Sequence, residues 1–433
     1  MSSIWVTVTD GRLMQIDKEK PAVLIMPEGN ILAHVGRALS IANALLKRNV
    51  DVSLAASGKH AERLRKLGLP LYPIHTAPRD ELLDRLRTGG SAFSYDELSR
   101  CVTAEIELLE ELQPEIVVGD FRPSLSVSAP YVGIPYVSVT NTVWTPHCRF
   151  QLDPPDSWLP TKILGKPLLR RLRPVLERPV FRYYARPFDR LRRSYGLSEL
   201  RDIRRYMCSE DLTLLADTPD LFPTTELPQG FTEIGPILWE PDAPDPPWLN
   251  ELANDLQTVY VTMGSTGPAG TLKRIIKKLL DSGFQVTCTT AQEPQLRIQD
   301  SRFYSVPYAR GSQLCRLADV VVCHGGNGTI YQALSQGTPV VGIPEFHDQE
   351  FNMQQIDAMD LGSKVKLGSR TDEQVCEAVH TVLEKPEYRS RAQALKQEIS
   401  SWNAPEKAAD CIIKTVRQGD SSNERRLTPV SGM

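Results

Sequence analysis

The stretch HGGNGTIYQALSQGTPVVGIPEFHDQ, residues 324–349, concentrates side chains suited to chemistry. His324 precedes three glycines (Gly325, Gly326 and Gly328), Asn327 and Thr329. A glycine-rich turn entering a helix exposes backbone N–H groups at the positive helix end, which suits a phosphate. The same glycines also serve a tight turn that holds nothing. His324 would add a ring donor and Thr329 a hydroxyl. Further on, Asp348 and Gln349 pair an acceptor-only carboxylate with an amide, the chemistry for gripping vicinal hydroxyls. In open α/β sheets ligands sit at the carboxyl ends of strands, so both ends of the stretch would face one crevice. The ligand that needs both is a sugar joined to a phosphate.

Positioning these groups requires strands and helices in alternation. ADVVVCHGG is a buried strand running into glycines, TIYQALSQG the helix after it, and PVVGIP the next strand. Two segments open alike. AVLIMPEG, HVGRALSIANALLKRN and VDVSLAAS form one strand–helix–strand unit, and TVYVTMGSTG, TLKRIIKKLLDSG and FQVTCTT repeat it from residue 258. In the first helix Val35, Ala38, Leu39, Ala42, Leu45 and Leu46 make an apolar stripe. The spacing predicts an α/β chain of two parallel sheets, each covered by helices on both faces. PDAPDPP, residues 241–247, reads as a linker. The expected division is 1–235, a proline-rich linker at 236–250, 251–418, and a disordered tail at 419–433.

At 433 residues and 41% hydrophobic content, the chain exceeds a usual single domain. A formal charge of −3 gives no overall footprint for nucleic acid. Eight cysteines stand singly without metal-ligand spacing, which fits a reduced compartment and no structural zinc. The start MSSIWVTVTDGRLMQ lacks the pattern of a secretory leader, and no run approaches the ~20 apolar residues of a membrane span. The expectation is a cytoplasmic protein.

The pattern HGGNGTxxQALxxGxPVVGIPxxxDQxxN resembles the donor signature of the family 1 glycosyltransferases of GT-B fold, the group that includes the macrolide-type and UDP-glycosyltransferases. The resemblance runs from about residue 21 to 418. It implies two Rossmann-like domains facing a central cleft, with a nucleotide sugar, UDP- or TDP-linked, on the second domain and the acceptor on the first. It further implies that His324, Gly326, Gly328, Thr329 and Ser265 hold the diphosphate, that Asn327 also belongs to the donor site, that Asp348 and Gln349 hold the sugar, and that Tyr308 stacks on the base. Gln332 stands where many relatives carry a glutamate on the ribose, which leaves uridine and thymidine both open. AHVGRALSIANALLKRNVDV is similar to the family segment bearing the catalytic base and so assigns that role to His34; Ala33 and Gly36 depart from its commoner residues. Asp120, closing PEIVVGD, falls at the position of the acid that orients the base. Neither a cofactor nor a metal is expected.

Residues 162–205 carry fourteen Lys or Arg and four Asp or Glu, with leucines and aromatics interleaved. They read either as a solvated helical face, cut into short pieces by Pro174, Pro179 and Pro187, or as a peripheral contact with an anionic membrane or lipid-like acceptor. The sequence thus points to an inverting, metal-independent hexosyltransferase acting on a hydroxylated small-molecule or lipid-like acceptor. Two rivals share its features, a nucleotide-sugar 2-epimerase and a non-catalytic sugar-nucleotide-binding helper.

Overall fold

The computed structural model describes residues 4–7, 13–16 and 22–427 except 79, 82–83, 86–92, 150–152, 155–158, 265–266, 268–269 and 291–294, with side chains from 22 to 418. β1 (Ile4–Thr7) and β2 (Leu13–Ile16) pair antiparallel. The first domain is built on β3 (Ala22–Pro27), β4 (Asp51–Ala55), β5 (Leu71–Tyr72), β6 (Ile116–Asp120), β7 (Tyr136–Thr140), β8 (Leu212–Leu215) and β9 (Phe231–Glu233), all parallel, in the order 5-4-3-6-7-8-9. The second uses β10 (Thr258–Thr262), β11 (Gln285–Thr289), β12 (Phe303–Val306), β13 (Val320–Cys323), β14 (Val340–Gly342) and β15 (Gly362–Lys364), in the order 12-11-10-13-14-15. Both are open parallel α/β sheets, as the repeated strand–helix–strand unit predicts. β-branched runs such as Val320–Val322 are buried on both faces, the pattern of strands covered by helices.

In each sheet the strand order reverses once, between β3 and β6 and between β10 and β13. Adjacent strand ends diverge there and leave a crevice for a ligand. His34 follows β3, Asp120 ends β6 in register with Pro27, and His324 follows β13. These three residues therefore sit at the two reversal points, whereas Asp348 and Gln349 follow β14 and Tyr308 follows β12.

Three expectations change. The division at 251–418 does not hold for the last helix, Ala404–Leu427. Its Ala404, Ala408, Ala409, Ile412 and Val416 are buried in the first domain's core with Val35, Leu39 and Ala42. Arg48 adds ion pairs to Asp410, at 2.8 Å, and to Glu406. The helix Leu32–Leu46 has apolar surface that its own sheet does not cover, and the chain's end covers it at about 1.5–3 kcal/mol per fully buried aliphatic side chain. That helix also runs to Leu427 through part of the segment expected to be disordered; residues 428–433 lie outside the described residues. Finally, the prolines do not cut the basic segment, since Lys166–Ser194 is one helix containing Pro174, Pro179 and Pro187. Each proline removes one backbone donor, but Ala185, Phe188 and Leu191 are clamped against Val102, Val127 and Tyr206, and this packing overrides propensity.

Candidate active site

The first-domain half of the site begins with Glu28, whose carboxylate accepts from the backbone N–H of Asn30 (3.0 Å) and Ile31 (2.9 Å). This fixes the loop from which the helix Leu32–Leu46 starts. Burial raises the Glu28 pKa against the opposing pull of His34 and these hydrogen bonds. On the first turn of the helix, His34 points Nδ1 at Asp120 Oδ1, 2.7 Å away. One turn on, Arg37 Nε donates to Asp120 Oδ2 at 2.7 Å and its Nη2 to Oδ1. Burial alone would raise the Asp120 pKa, but the Arg37 and His34 charges and hydrogen bonds outweigh it and hold the carboxyl below its usual range. Asp120 is thus an anion that fixes the His34 ring through Nδ1, which also lies 2.9 Å from Arg37 Nη2; Nε2 is the ring nitrogen the carboxylate does not engage. The ring also stacks on Phe121, with centroids 4.9 Å apart and planes 5° apart. Phe121 has a φ of 52°, a costly value for a non-glycine residue, held here between the strand end and the imidazole.

The second-domain half is built around His324. A Cβ on Gly264 would come within 2.4 Å of the His324 ring, and one on Gly326 within 2.3 Å, so both glycines make room for the imidazole. Burial lowers the His324 pKa to about 4, and its Nδ1 has no hydrogen-bond partner among the described residues. A neutral imidazole next to the start of the helix Asn327–Ser335 is a donor that brings no charge of its own. Gly326, Gly328, Thr329 and Asn327 line the same cleft. Ser265 lies outside the described residues.

Asp348, second residue of the helix His347–Ala358, is half-buried in the cleft wall, and burial raises its pKa. Gln349 also lines the cleft, but its Oε1 accepts from the backbone N–H of Glu345 (2.9 Å) and Phe346 (3.3 Å). That oxygen is occupied with holding the helix start. Gln332 donates from Nε2 to the carbonyl of Trp239 at 3.1 Å. Tyr308 is exposed at the cleft edge with the Arg63 guanidinium 5.3 Å from its ring centre.

A part-buried polar chain joins the halves. Arg37 Nη1 donates to Asn141 Oδ1 at 3.0 Å, Asn141 Nδ2 to Asp217 Oδ1 at 3.0 Å, and Asn327 Nδ2 to the same Asp217 oxygen at 3.0 Å. Burial raises the Asp217 pKa despite those bonds and one from the Thr142 backbone. Arg37, Phe121, Asn141 and Asp217 were missed in the sequence. Arg37 carried a signal, since it is one turn beyond His34 on the same helix face; the others become neighbours only through strand order. Gly36, a departure from the family pattern, is where the linker residue Trp239 packs, 2.7 Å from a would-be Cβ. Among the described residues one cluster has three possible metal ligands, His75, Glu97 and Cys101; it does not line the cleft, and Glu97 already pairs with Arg100.

Residues 288–414 match the family described as Erythromycin biosynthesis protein CIII-like, C-terminal domain. Over most of its length the chain is similar to a PGL/p-HBAD biosynthesis glycosyltransferase of Mycobacterium tuberculosis (strain ATCC 25177 / H37Ra), 35% identical over 381 residues, 87% of this chain and 88% of that protein. A PGL/p-HBAD biosynthesis rhamnosyltransferase of Mycobacterium bovis (strain BCG / Pasteur 1173P2) is 33% identical over 376 residues, 86% of this chain and 83% of its own. The fold superimposes with a TM-score of 0.63 and 18% identity on a Streptomyces sp. SF2575 glycosyltransferase solved with thymidine diphosphate, covering 90% of this chain and 99% of that one. With relatives this similar over most of its length, and with two parallel-sheet domains meeting at the cleft, the chain belongs to the macrolide-type, family 1 glycosyltransferases of GT-B fold.

Proposed function

We propose that this glycosyltransferase moves a hexosyl unit, deoxyhexoses included, from a UDP- or TDP-sugar to a hydroxyl of a small-molecule or lipid-like acceptor, with inversion and without a metal. The observation that carries this reading is the 2.7 Å contact between His34 and Asp120 at the same cleft as the turn His324–Thr329. His34 Nε2 takes the acceptor O–H proton as the acceptor oxygen bonds to the anomeric carbon. The bond from that carbon to phosphate oxygen breaks on the opposite side, and the nucleoside diphosphate leaves. Asp120 stabilises the imidazolium. Charge growing on the leaving group meets the N-terminus of Asn327–Ser335 and the neutral His324 donor, where a preorganised dipole acts most strongly. Asp348 reads sugar hydroxyls. The named activities of the mycobacterial relatives and the thymidine diphosphate of the Streptomyces structure support a sugar-nucleotide donor.

The test is incubation with a panel of UDP- and TDP-sugars and hydroxylated aromatic acceptors. Released nucleoside diphosphate is measured by chromatography and the anomeric configuration of the product by NMR. A new glycoside of inverted configuration is expected. Binding with no diphosphate released from any donor would favour the helper, and free epimerised sugar as the sole product the 2-epimerase.

A further inference from the structure

Eight of the fourteen exposed large apolar side chains among the described residues fall in one stretch, Leu159–Tyr183. They are ordered. On the helix Lys166–Ser194, Leu168, Leu172, Val175, Leu176 and Tyr183 follow steps of four, three, one and seven, and so share one stripe of roughly 100° at the helical period. Val175 is 72% and Tyr183 59% exposed, and Ile163, on the short helix before, is 71%. Arg171, Arg178 and Arg182 run along one margin of the stripe, by the same period. None of the three makes an ion pair among the described residues. The acids on this helix are already engaged. Glu177 pairs with Arg173 (3.1 Å) and Arg204 (3.0 Å), and Asp189 is buried, accepting from Tyr206 at 2.6 Å.

We propose that this face docks the protein on a bilayer surface carrying anionic phospholipids. An apolar stripe alone would suit many partners. A stripe edged by a row of uncompensated arginines, in a segment with a balance of +10 on a chain of net charge −3, fits phosphate headgroups above an acyl layer. The apolar side chains enter the acyl boundary while the guanidinium groups remain at headgroup depth. The docked face starts beside the cleft. Lys166 lies 3.7 Å from Glu350, two residues past Asp348, and Asp153 exchanges hydrogen bonds with Gln354 on the same helix at 2.8 and 3.1 Å. A lipid-anchored acceptor would then reach the cleft from the membrane plane; that consequence rests on the transferase reading, whereas the docking does not.

The full-length protein is sedimented with vesicles of pure phosphatidylcholine and with vesicles containing phosphatidylglycerol. Binding to the anionic vesicles that weakens with salt is expected. Replacing Arg171, Arg178 and Arg182 together by Gln should weaken it by about a hundredfold, at about fivefold per basic side chain. Leu168→Ser with Val175→Ser should weaken it without removing the salt dependence. The unfolding midpoint and the shift of that midpoint by TDP or UDP should stay as in the unsubstituted protein, because none of these residues lines the cleft. Equal pelleting with and without vesicles, as a second copy of this chain on the stripe would give, overturns the proposal. So does anionic binding that the arginine substitutions leave unchanged.

Discussion

Asp217, two residues beyond β8 of the first domain, accepts a 3.0 Å hydrogen bond from Asn327, the first residue of the second domain's helix Asn327–Ser335. The carboxylate also takes the Thr142 backbone N–H at 2.7 Å and, through Asn141, reaches Arg37 and Asp120. A single buried acid therefore links His34 and Asp120 to the turn His324–Thr329. Asn327→Ala removes one donor from an oxygen that keeps another. It should cost about 1–3 kcal/mol of stability, read by urea unfolding. It should also weaken donor binding relative to the parent protein. An unchanged unfolding midpoint would mean the contact carries no load between the domains.

His34→Ala tests the base. Turnover should fall by roughly 10² to 10⁴ fold, the range typical of general-base loss, with TDP or UDP affinity by calorimetry near that of the parent. Full activity would sink the mechanism.

His324 gives stability a pH dependence of defined sign. Its folded pKa, about 4, lies below the ordinary 6.5. The unfolded chain then binds more protons between those values. The neutral ring's contribution is complete above about 6.5 and disappears as pH falls through about 4, worth on the order of 3 kcal/mol. Unfolding curves from pH 7 to 4 should show this slope, and His324→Asn should flatten it. A parallel slope in the variant would assign the dependence to other groups.

Asp348→Ala should weaken an intact sugar nucleotide by about one to two decades while leaving free UDP or TDP nearly untouched, since only the former carries the transferred sugar whose hydroxyls Asp348 would hold. Titration calorimetry on both ligands reads the difference. Equal weakening would place Asp348 at the phosphate or in the fold.

The alternation of strands and helices, the two sheets and the glycine turn between β13 and the helix Asn327–Ser335 were legible because each is local: hydrophobic period, glycines at a strand end, and a motif within thirty residues. His34 and Asp120 could be paired across 86 residues only through family resemblance, and the structure places them in contact. Asn141, Asp217 and Phe121 carry no local mark. Their importance comes from β6, β7 and β8 lying side by side in the first sheet and from its meeting the second domain at Asn327. The continuity of Lys166–Ser194 was misread for the opposite reason. Local proline chemistry predicts breaks, whereas the distant packing of Phe188 and Leu191 keeps the helix continuous.

The closing helix bears on any attempt to recombine this enzyme with others of its fold. An exchange of halves at the PDAPDPP segment would remove Ala404–Leu427 along with the outgoing second domain. The resident first helix would then meet a foreign lid in place of Ala408, Ile412 and Val416, and Arg48 would lose Glu406 and Asp410. A hybrid with two crossovers, the second near Trp402, keeps the lid with the helix it evolved against. The second sheet could then be exchanged without unseating the first.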